Sequence, residues 1–526
     1  MNTEPDASRT RVFLLVASFL LLTVSAIWLP ELSFEEALNA TIARELLDQH
    51  DFITPHYQGS AILTPPMCAW ILTTISETIG LGEGSIRIIG ILPAALLALI
   101  CALVVRPAAG NRAALAAAAA AGSCVAAMRC GVIAENDMLF ALFINAAWIC
   151  WYLLSREHKY WLYAWAAAHL LVVCALLTGG PKALFLFYFP LLILRRPLKI
   201  IRRLWKPAHL IPFTFLLIGG MLWILMVPTV MAEIANVFSE FTPDANPTGY
   251  VRRLIMFPVL ALIAFLPWTF LTWPGFCVAF RPLEKNPVMC QYLRTIVYAL
   301  FFAFWLIPGS DISVLLPLIG PLAILVGMNY GLLIRRYGRQ LQWLPVGLAI
   351  IAFVGIIASL GRLVHLRLID VNVPNAYAII SVVLLVTATV LATLVCSMRK
   401  KLPVWLLVIV AMVAIQFTNV GGLQVYDYLF NSEKREFADI ITVNLPPNVL
   451  VYELIPGNDV YPAECYYLDR PVIRLNSQKD LPLHEQQVYV IGRDRMPISS
   501  FHEWEQLSDT VLYKGMQLRV WKGVRR

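Results

Sequence analysis

Three carboxylates stand where chemistry at a membrane surface could begin. Glu35 and Glu36 are adjacent at the head of an amphipathic run, and Asp137 falls in Ala134-Glu135-Asn136-Asp137-Met138, directly before an apolar stretch. A carboxylate at a membrane boundary can take the proton of an acceptor hydroxyl, or stabilise a sugar centre as positive charge develops on it. The same residues also have ordinary uses: acids in the first turn of a helix are favoured by its dipole, and Asp137 fits a solvated loop. Other chemistries lack their residues. The chain has no Walker loop and no GxSxG motif. No two histidines share one expected helix at metal-ligand spacing, so no metal site is assigned. The ten cysteines show no CxxC spacing, and Cys465 alone lies in the polar C-terminal part, so no structural disulfide is expected there. The residues call for no cofactor; a divalent metal ion stays open.

The elements that must hold these carboxylates are membrane helices. Of 526 residues, 59% are hydrophobic and 14% charged, against roughly 25% charged in an ordinary soluble domain. That composition excludes a soluble enzyme. Uncharged stretches such as Val12–Leu29, Leu210–Pro228 and Ala376–Val395 are each near the roughly 20 residues that cross a bilayer as a helix. Apolar runs give thirteen spans, near 11–29, 86–105, 113–128, 138–154, 161–177, 181–194, 209–229, 254–277, 293–307, 314–333, 343–360, 376–396 and 403–419. The first is read as a retained helix, not a signal peptide, because it has no small-residue cleavage pattern. With the N-terminus cytoplasmic, the inner loops collect 21 Lys and Arg and the outer loops before residue 420 collect eight. That bias favours an odd number of spans, with the C-terminus outside. The net charge of +8 is thus spent on topology and not on nucleic acid.

Two segments are not spans. Pro30–Gly84 is too polar to cross twice; Ser33 followed by Glu36 fits a capping box, and Glu35–Leu47 reads as a helix lying at the outer interface. A second short helix follows Pro65-Pro66 and carries Trp70 at headgroup depth. From about Asn431 charge rises and apolar runs shorten to strand size at Val449–Leu454, Val472–Leu475, Gln487–Ile491 and Thr510–Trp521, with helices expected at Glu433–Val443 and Ser499–Leu507. The expected fold is therefore a polytopic α-helical membrane protein of about 13 transmembrane helices, with amphipathic helices in the first outer loop and a small C-terminal extracytoplasmic α/β domain. The domains run 1–420, including the loop 30–84, and 421–526.

Glu35-Glu36-Ala37-Leu38 through Arg44, then Asp51-Phe52-Ile53-Thr54-Pro55-His56, then Pro65-Pro66 with Trp70, resembles the first outer loop of the aminoarabinose transferase and protein O-mannosyltransferase group of C-type glycosyltransferases. Further matches are Arg87, Asp137, Leu177-Thr178-Gly179-Gly180-Pro181, Leu266-Pro267-Trp268, and Leu316-Pro317 followed by Gly320-Pro321-Leu322-Ala323. They run in order from Phe13 to Val326. The resemblance implies a bacterial inner-membrane glycosyltransferase, and a lipid A or other cell-envelope modification. It would take a sugar from a polyprenyl-phosphate lipid at the outer face and pass it, with inversion, to a lipid, glycan or protein acceptor. It implies Glu35 as the main catalytic carboxylate, in a position where the family normally has Asp, with Glu36 and Asp137 orienting it or the acceptor.

The departures form a pattern, because most of them are lost cations. Leu38 stands for Arg, Thr64 for the Lys before Pro-Pro, Gly179 for the Lys before Gly-Pro and Ser310 for a Lys; Val314 replaces a Tyr, and no His lies between Glu233 and Trp268. A phosphate leaving group needs cationic or hydrogen-bonding partners as charge develops on it. Lys182, three residues from the missing Lys, and Arg252-Arg253, placed against the positive-inside trend, are the replacement donor-phosphate ligands, together with Arg87. Lys182 could equally snorkel to the headgroups, and Arg252-Arg253 touch anionic lipid. The alternatives are a catalytically degenerate lipid- or partner-binding member of the family, which the lost cations support, or a lipid or solute transporter, which would want ionisable residues at mid-span.

Overall fold

The protein is described by a computed structural model. It covers residues 31–341 apart from 50–51, 54, 58–59, 62–63, 195–199, 227–246 and 307–311; beyond these, residue 343, 403–406, 408–409 and discontinuous stretches between 435 and 525. The chain forms two compact units, one of 1–29 with 87–426, the other of 30–86 with 427–526. The expected spans 11–29 and 376–396, the span 343–360 apart from residue 343, and Ser310 lie outside the described residues.

The second unit begins with helix α1, Phe34–Gln49, which starts where the capping box places it. The Ser33 N–H donates to the Glu36 carboxylate at 2.8 Å, and the Glu36 N–H donates to Ser33 Oγ at 3.3 Å. Two amide donors at the helix start, which have no partner within the helix, are thereby satisfied. A short antiparallel ladder, β1 His56–Tyr57 with β2 Ser60–Ala61, leads to α2, Met67–Ile79. Ile42, Leu46, Tyr57 and Ala69 form the core between these elements, with Leu38 and Trp70 against it. Leu38, standing for a family Arg, is thus a packing residue. Trp70 Nε1 donates to the Phe52 carbonyl at 2.8 Å and pins the loop before the ladder.

The C-terminal part of this unit is a mixed sheet, six-stranded among the described residues: β3 Val451–Leu454, β4 Val472–Arg474, β5 Gln487–Arg493, β6 His502–Gln506, β7 Val511–Tyr513 and β8 Met516–Arg525. The order is β4-β3-β5-β8-β6, with β7 also on β8. β3 pairs in parallel with β4 and β5, and β8 is antiparallel to β5, β6 and β7. Residues 502–506, expected as helix, are strand. His502-Glu503-Trp504-Glu505-Gln506 alternates with period two, and pairing with β8 outweighs the helix propensity of its two Glu residues.

One polar clasp ties the loop to the C-terminal segment of this unit. Arg435 holds Glu83 with bonds of 3.1, 2.7 and 2.6 Å, and its own N–H donates to Glu31 at 2.9 Å. The Tyr467 hydroxyl donates to Glu83 at 2.6 Å and accepts the Leu32 N–H at 2.9 Å, while Tyr466 donates to the Leu81 carbonyl at 3.0 Å. Burial opposes the Arg435 charge, but the bond and charge of Glu83 outweigh it and raise its pKa. Burial and the Glu83 bond also push the Tyr467 phenol well above its usual range. A phenol held neutral in this way contributes fully below about pH 10, and its contribution is lost as pH climbs above that. Tyr467→Phe removes one donor and one acceptor at once. It is expected to cost this unit roughly 1–3 kcal/mol, read as a lower unfolding midpoint, and to reduce the alkaline loss of stability expected for wild type.

The first unit is a helical bundle: α3 Glu83–Ala109, whose first turn belongs to the second unit, α4 Asn111–Ser123, α5 Val125–Cys130, α6 Asn136–Tyr152, α7 Trp161–Gly179, α8 Lys182–Ile193, α9 Ile200–Leu204, α10 Pro207–Met226, α11 Pro247–Ala264, α12 Thr269–Phe276, α13 Pro287–Leu306 and α14 Ile319–Leu341. Among the described residues, five helices are long and apolar enough to cross a membrane, or six if a bent pair counts as one. Two expected spans are broken. The run 113–128 divides at Cys124 into α4 and α5, because Cys124 is extended. The run 254–277 bends by 103° between α11 and α12.

That bend is locked from inside. The Leu266 carbonyl accepts the Val125 N–H at 2.9 Å, and Trp268 Nε1 donates to Ser123 Oγ at 3.0 Å. Trp268 is fully buried. A single hydroxyl and a single carbonyl thus fasten the α4–α5 break to the α11–α12 elbow. The Pro317 carbonyl accepts Asn145 Nδ2 of α6 at 3.1 Å, which fixes the 3₁₀ turn Ile312–Leu318 that leads into α14.

Candidate functional site

The candidate residues divide between the two units. In the second unit the first turn of α1 presents Glu35 exposed and Glu36 buried. The difference follows from the capping box: the Glu36 carboxylate turns back onto the Ser33 N–H, while Glu35 points away from the core. One of the two adjacent acids is therefore engaged with its own helix start, and the other is exposed.

In the first unit Asp137 lies in the first turn of α6, half-buried, where the helix dipole favours a carboxylate. One turn further along α6 is Phe140, which is buried. Its ring does two things. A Cβ built on Gly179 would lie 2.5 Å from its Cδ2 and 2.9 Å from its Cε2, so no side chain fits at position 179 while Phe140 stays in place. The Lys182 ammonium sits over the same ring, 5.2 Å from its centroid. Between them the backbone turns at Gly180, with φ +75°, a left-handed conformation that glycine adopts without strain. Pro181 then caps α8, whose first residue is Lys182. The Gly179-Gly180-Pro181-Lys182 segment is thus a tight turn that seats a lysine on the Phe140 ring, and Asp137 stands three residues before Phe140 in α6.

The remaining cations lie elsewhere in this unit. Arg87, in the first turns of α3, is buried. Arg252 and Arg253 are exposed on the first turns of α11, beside the C-terminal end of α13, where the Tyr250 hydroxyl donates to the Leu306 carbonyl at 2.9 Å. The other end of α11 opens on a cavity of about 320 Å³ at the elbow, lined by Pro258, Ala261, Phe265, Thr269, Phe276 and Phe301 among others. Arg253 and Pro258 are five residues apart, or about 7.5 Å along a helix. One helix therefore carries paired cations at its head and an apolar cavity along its tail, which suits a phosphate with a hydrocarbon chain.

Sequence reasoning did not find Phe140. The signal it could have used is the Gly179-Gly180 pair, because consecutive glycines at a helix end call for a close neighbour as well as a turn. It also missed a buried polar chain on α7, α8 and α10. In it Tyr188 Oη lies 2.5 Å from His169 Nε2 and 2.9 Å from His209 Nε2, and His209 Nδ1–H donates to the Leu204 carbonyl at 2.8 Å. The three residues lie far apart in the sequence and no spacing rule joins them.

Comparison with known proteins follows the same lines. Residues 64–224 match the family model of dolichyl-phosphate-mannose-protein mannosyltransferases, a segment that contains Arg87, Asp137, Gly179 and Lys182. The chain is 24% identical over 388 residues to undecaprenyl phosphate-alpha-4-amino-4-deoxy-L-arabinose arabinosyl transferase 2 of Proteus mirabilis. That match covers 68% of this chain and 66% of the relative, so the chain spans just under two thirds of the relative's length. An uncharacterized protein of Aquifex aeolicus is 26% identical over 268 residues, covering 49% of this chain and 51% of its own. Among solved structures, ArnT from Cupriavidus metallidurans matches with a TM-score of 0.76 over 98% of both chains, at 20% identity in the apo state and 18% bound to undecaprenyl phosphate. The chain therefore has the fold of these ArnT structures. The resemblance to the aminoarabinose transferase and protein mannosyltransferase group, read from the first outer loop, stands.

Proposed function

We propose that this protein is a membrane glycosyltransferase that transfers a sugar from a polyprenyl-phosphate donor to a lipid, glycan or protein acceptor at the outer face of a bacterial inner membrane, with inversion. The observation that carries the reading is the turn at 179–182. It presents an ammonium on an aromatic platform, one helical turn from the Asp137 position. The P. mirabilis relative bears the name of an undecaprenyl-phosphate-dependent transferase, and the C. metallidurans structure holds undecaprenyl phosphate, which supports the same donor class here.

In this reading Glu35 takes the acceptor hydroxyl proton as the new glycosidic bond forms, and Glu36 and Asp137 are the further catalytic carboxylates. The polyprenyl phosphate leaves with the electron pair of the broken bond. Lys182, Arg252, Arg253 and Arg87 stabilise the negative charge that develops on it, as cations do for a phosphate leaving group. The cavity at the α11–α12 elbow takes hydrocarbon of the same lipid. The domain from 421 onward is assigned to acceptor recognition outside the membrane.

The test is sugar release from a panel of polyprenyl-phosphate sugars by the purified protein, with native membrane extract as acceptor. Turnover of one donor is expected. No turnover with any donor, in protein shown to be folded, would overturn the reading and favour the degenerate binder. Lys182→Ala and Arg252→Ala are expected to raise the donor KM about tenfold each, the loss of one charge-assisted contact worth roughly 1.5 kcal/mol. Unchanged donor affinity in both variants would remove the cation set from the mechanism.

A further inference from the structure

We infer that Phe140 is a positioning residue for the donor phosphate. It excludes a side chain at position 179 and holds the Lys182 ammonium in its place, so that this one of the phosphate cations is delivered from the start of α8 and not from the end of α7. The inference deepens the function proposed above and rests on it.

Two observations that do not depend on each other carry it. The first is steric: the Cβ position of Gly179 lies 2.5 Å from Phe140 Cδ2 and 3.0 Å from Cγ, so the contact is with the body of a buried ring and not with a movable tip. Phe140 belongs to the bundle core, and a ring packed on all sides does not swing aside without a cost in packing. The second is electrostatic: Lys182 Nζ sits 5.2 Å above the same ring, within the roughly 6 Å over which the negative face of a ring attracts a cation.

The combination has a chemical consequence. Lys182 is exposed, and among the described residues its ammonium makes no hydrogen bond or ion pair. A cation held by a ring keeps its N–H donors, because the ring face accepts none of them in the way a carboxylate would. It can therefore meet a phosphate oxygen without first breaking an ion pair. The ring also limits the many rotamers of a lysine, whose ordering otherwise opposes binding. Phe140 thus acts through Lys182: it touches no reacting atom, and its effect should appear in donor affinity and not in the rate of the bound complex.

The full-length protein in detergent is titrated with undecaprenyl phosphate without sugar, and donor KM and kcat are measured in parallel. Phe140→Leu, with Phe140→Met as a second variant should the first fold poorly, is expected to weaken binding about two- to fivefold, the scale of an exposed cation–π contact. Donor KM should rise to match, with kcat held. In a Lys182→Ala background the same Phe140 substitution is expected to have no further effect, since the two act as one unit. The triple variant Phe140→Ala, Gly179→Lys, Lys182→Ala should bind better than Phe140→Ala with Lys182→Ala alone. Equal losses from Phe140→Leu with and without Lys182, or unchanged affinity in both Phe140 variants, would overturn the inference while leaving the donor class intact. Failure of wild type to bind undecaprenyl phosphate would overturn the functional reading itself, and this inference with it.

Discussion

Glu35→Gln should reduce sugar transfer by on the order of 10² to 10⁴-fold, the contribution of a positioned acid–base group, while leaving the protein folded. The substitution keeps shape and removes only the charge. Its structural cost is small because Glu35 is exposed in the first turn of α1, where a carboxylate contributes through the helix dipole about 0.3–1 kcal/mol at most. The neighbouring acid supplies the control. Glu36 accepts the Ser33 N–H at 2.8 Å, and a Gln there can still accept it, so Glu36→Gln should retain most of the stability. Glu36→Ala should lose about 1 kcal/mol of helix-start stabilisation. Transfer rates and thermal midpoints of the three variants separate the roles. A fully active Glu35→Gln beside an inactive, folded Glu36→Gln would assign the chemistry to Glu36 instead.

The second large effect concerns stability. The side chain of Arg294 in α13 is 8% exposed and that of its partner Glu284 is 1%. The guanidinium meets both carboxylate oxygens of Glu284, at 3.1 Å through Nη2 and closely through Nη1, and also donates to the Gly275 carbonyl at 2.9 Å. Glu284→Ala would leave a buried cation without its counter-charge, which costs about 3–5 kcal/mol in comparable pairs. A lower thermal midpoint in detergent and poor recovery of the folded protein are expected. Replacing both partners with apolar residues, Glu284→Leu with Arg294→Met, should restore much of the loss, because the large penalty comes from the orphaned charge and not from the missing attraction. Equal destabilisation by the single and double substitutions would refute that account.

What the sequence made legible divides along a physical line. The start of α1 was readable because a capping box is a contact between residues three apart, and the presence of several apolar membrane-crossing helices was readable because hydropathy along the chain is a local property. The carboxylates at 35, 36 and 137 could be named for the same reason: acids at helix starts next to apolar runs stand out. Contacts between distant segments were not readable. The break at Cys124 and the 103° elbow are held by Ser123 with Trp268 and by Val125 with Leu266, and nothing local in 113–128 announces them. The strand at 502–506 depends on β8 for its partner. Gly179 could be seen as a lost cation in the sequence, but only its distance to Phe140 shows why a lysine there has no room.

The clasp around Glu83 has a consequence for biosynthesis. Arg435 and Tyr467 are separated from Glu83 by 352 and 384 positions, and Arg435 from Glu31 by 404. A ribosome delivers the chain from its N-terminus, so the segment bearing Glu35 emerges well before its last partners exist. Ordering so long an intervening stretch costs only slowly more with length, since loop-closure entropy grows with its logarithm. The delay itself is unavoidable. The helix that presents the proposed base is made among the first and secured among the last, and a nascent chain released before residue 467 would carry Glu35 on a scaffold still missing its final fastening.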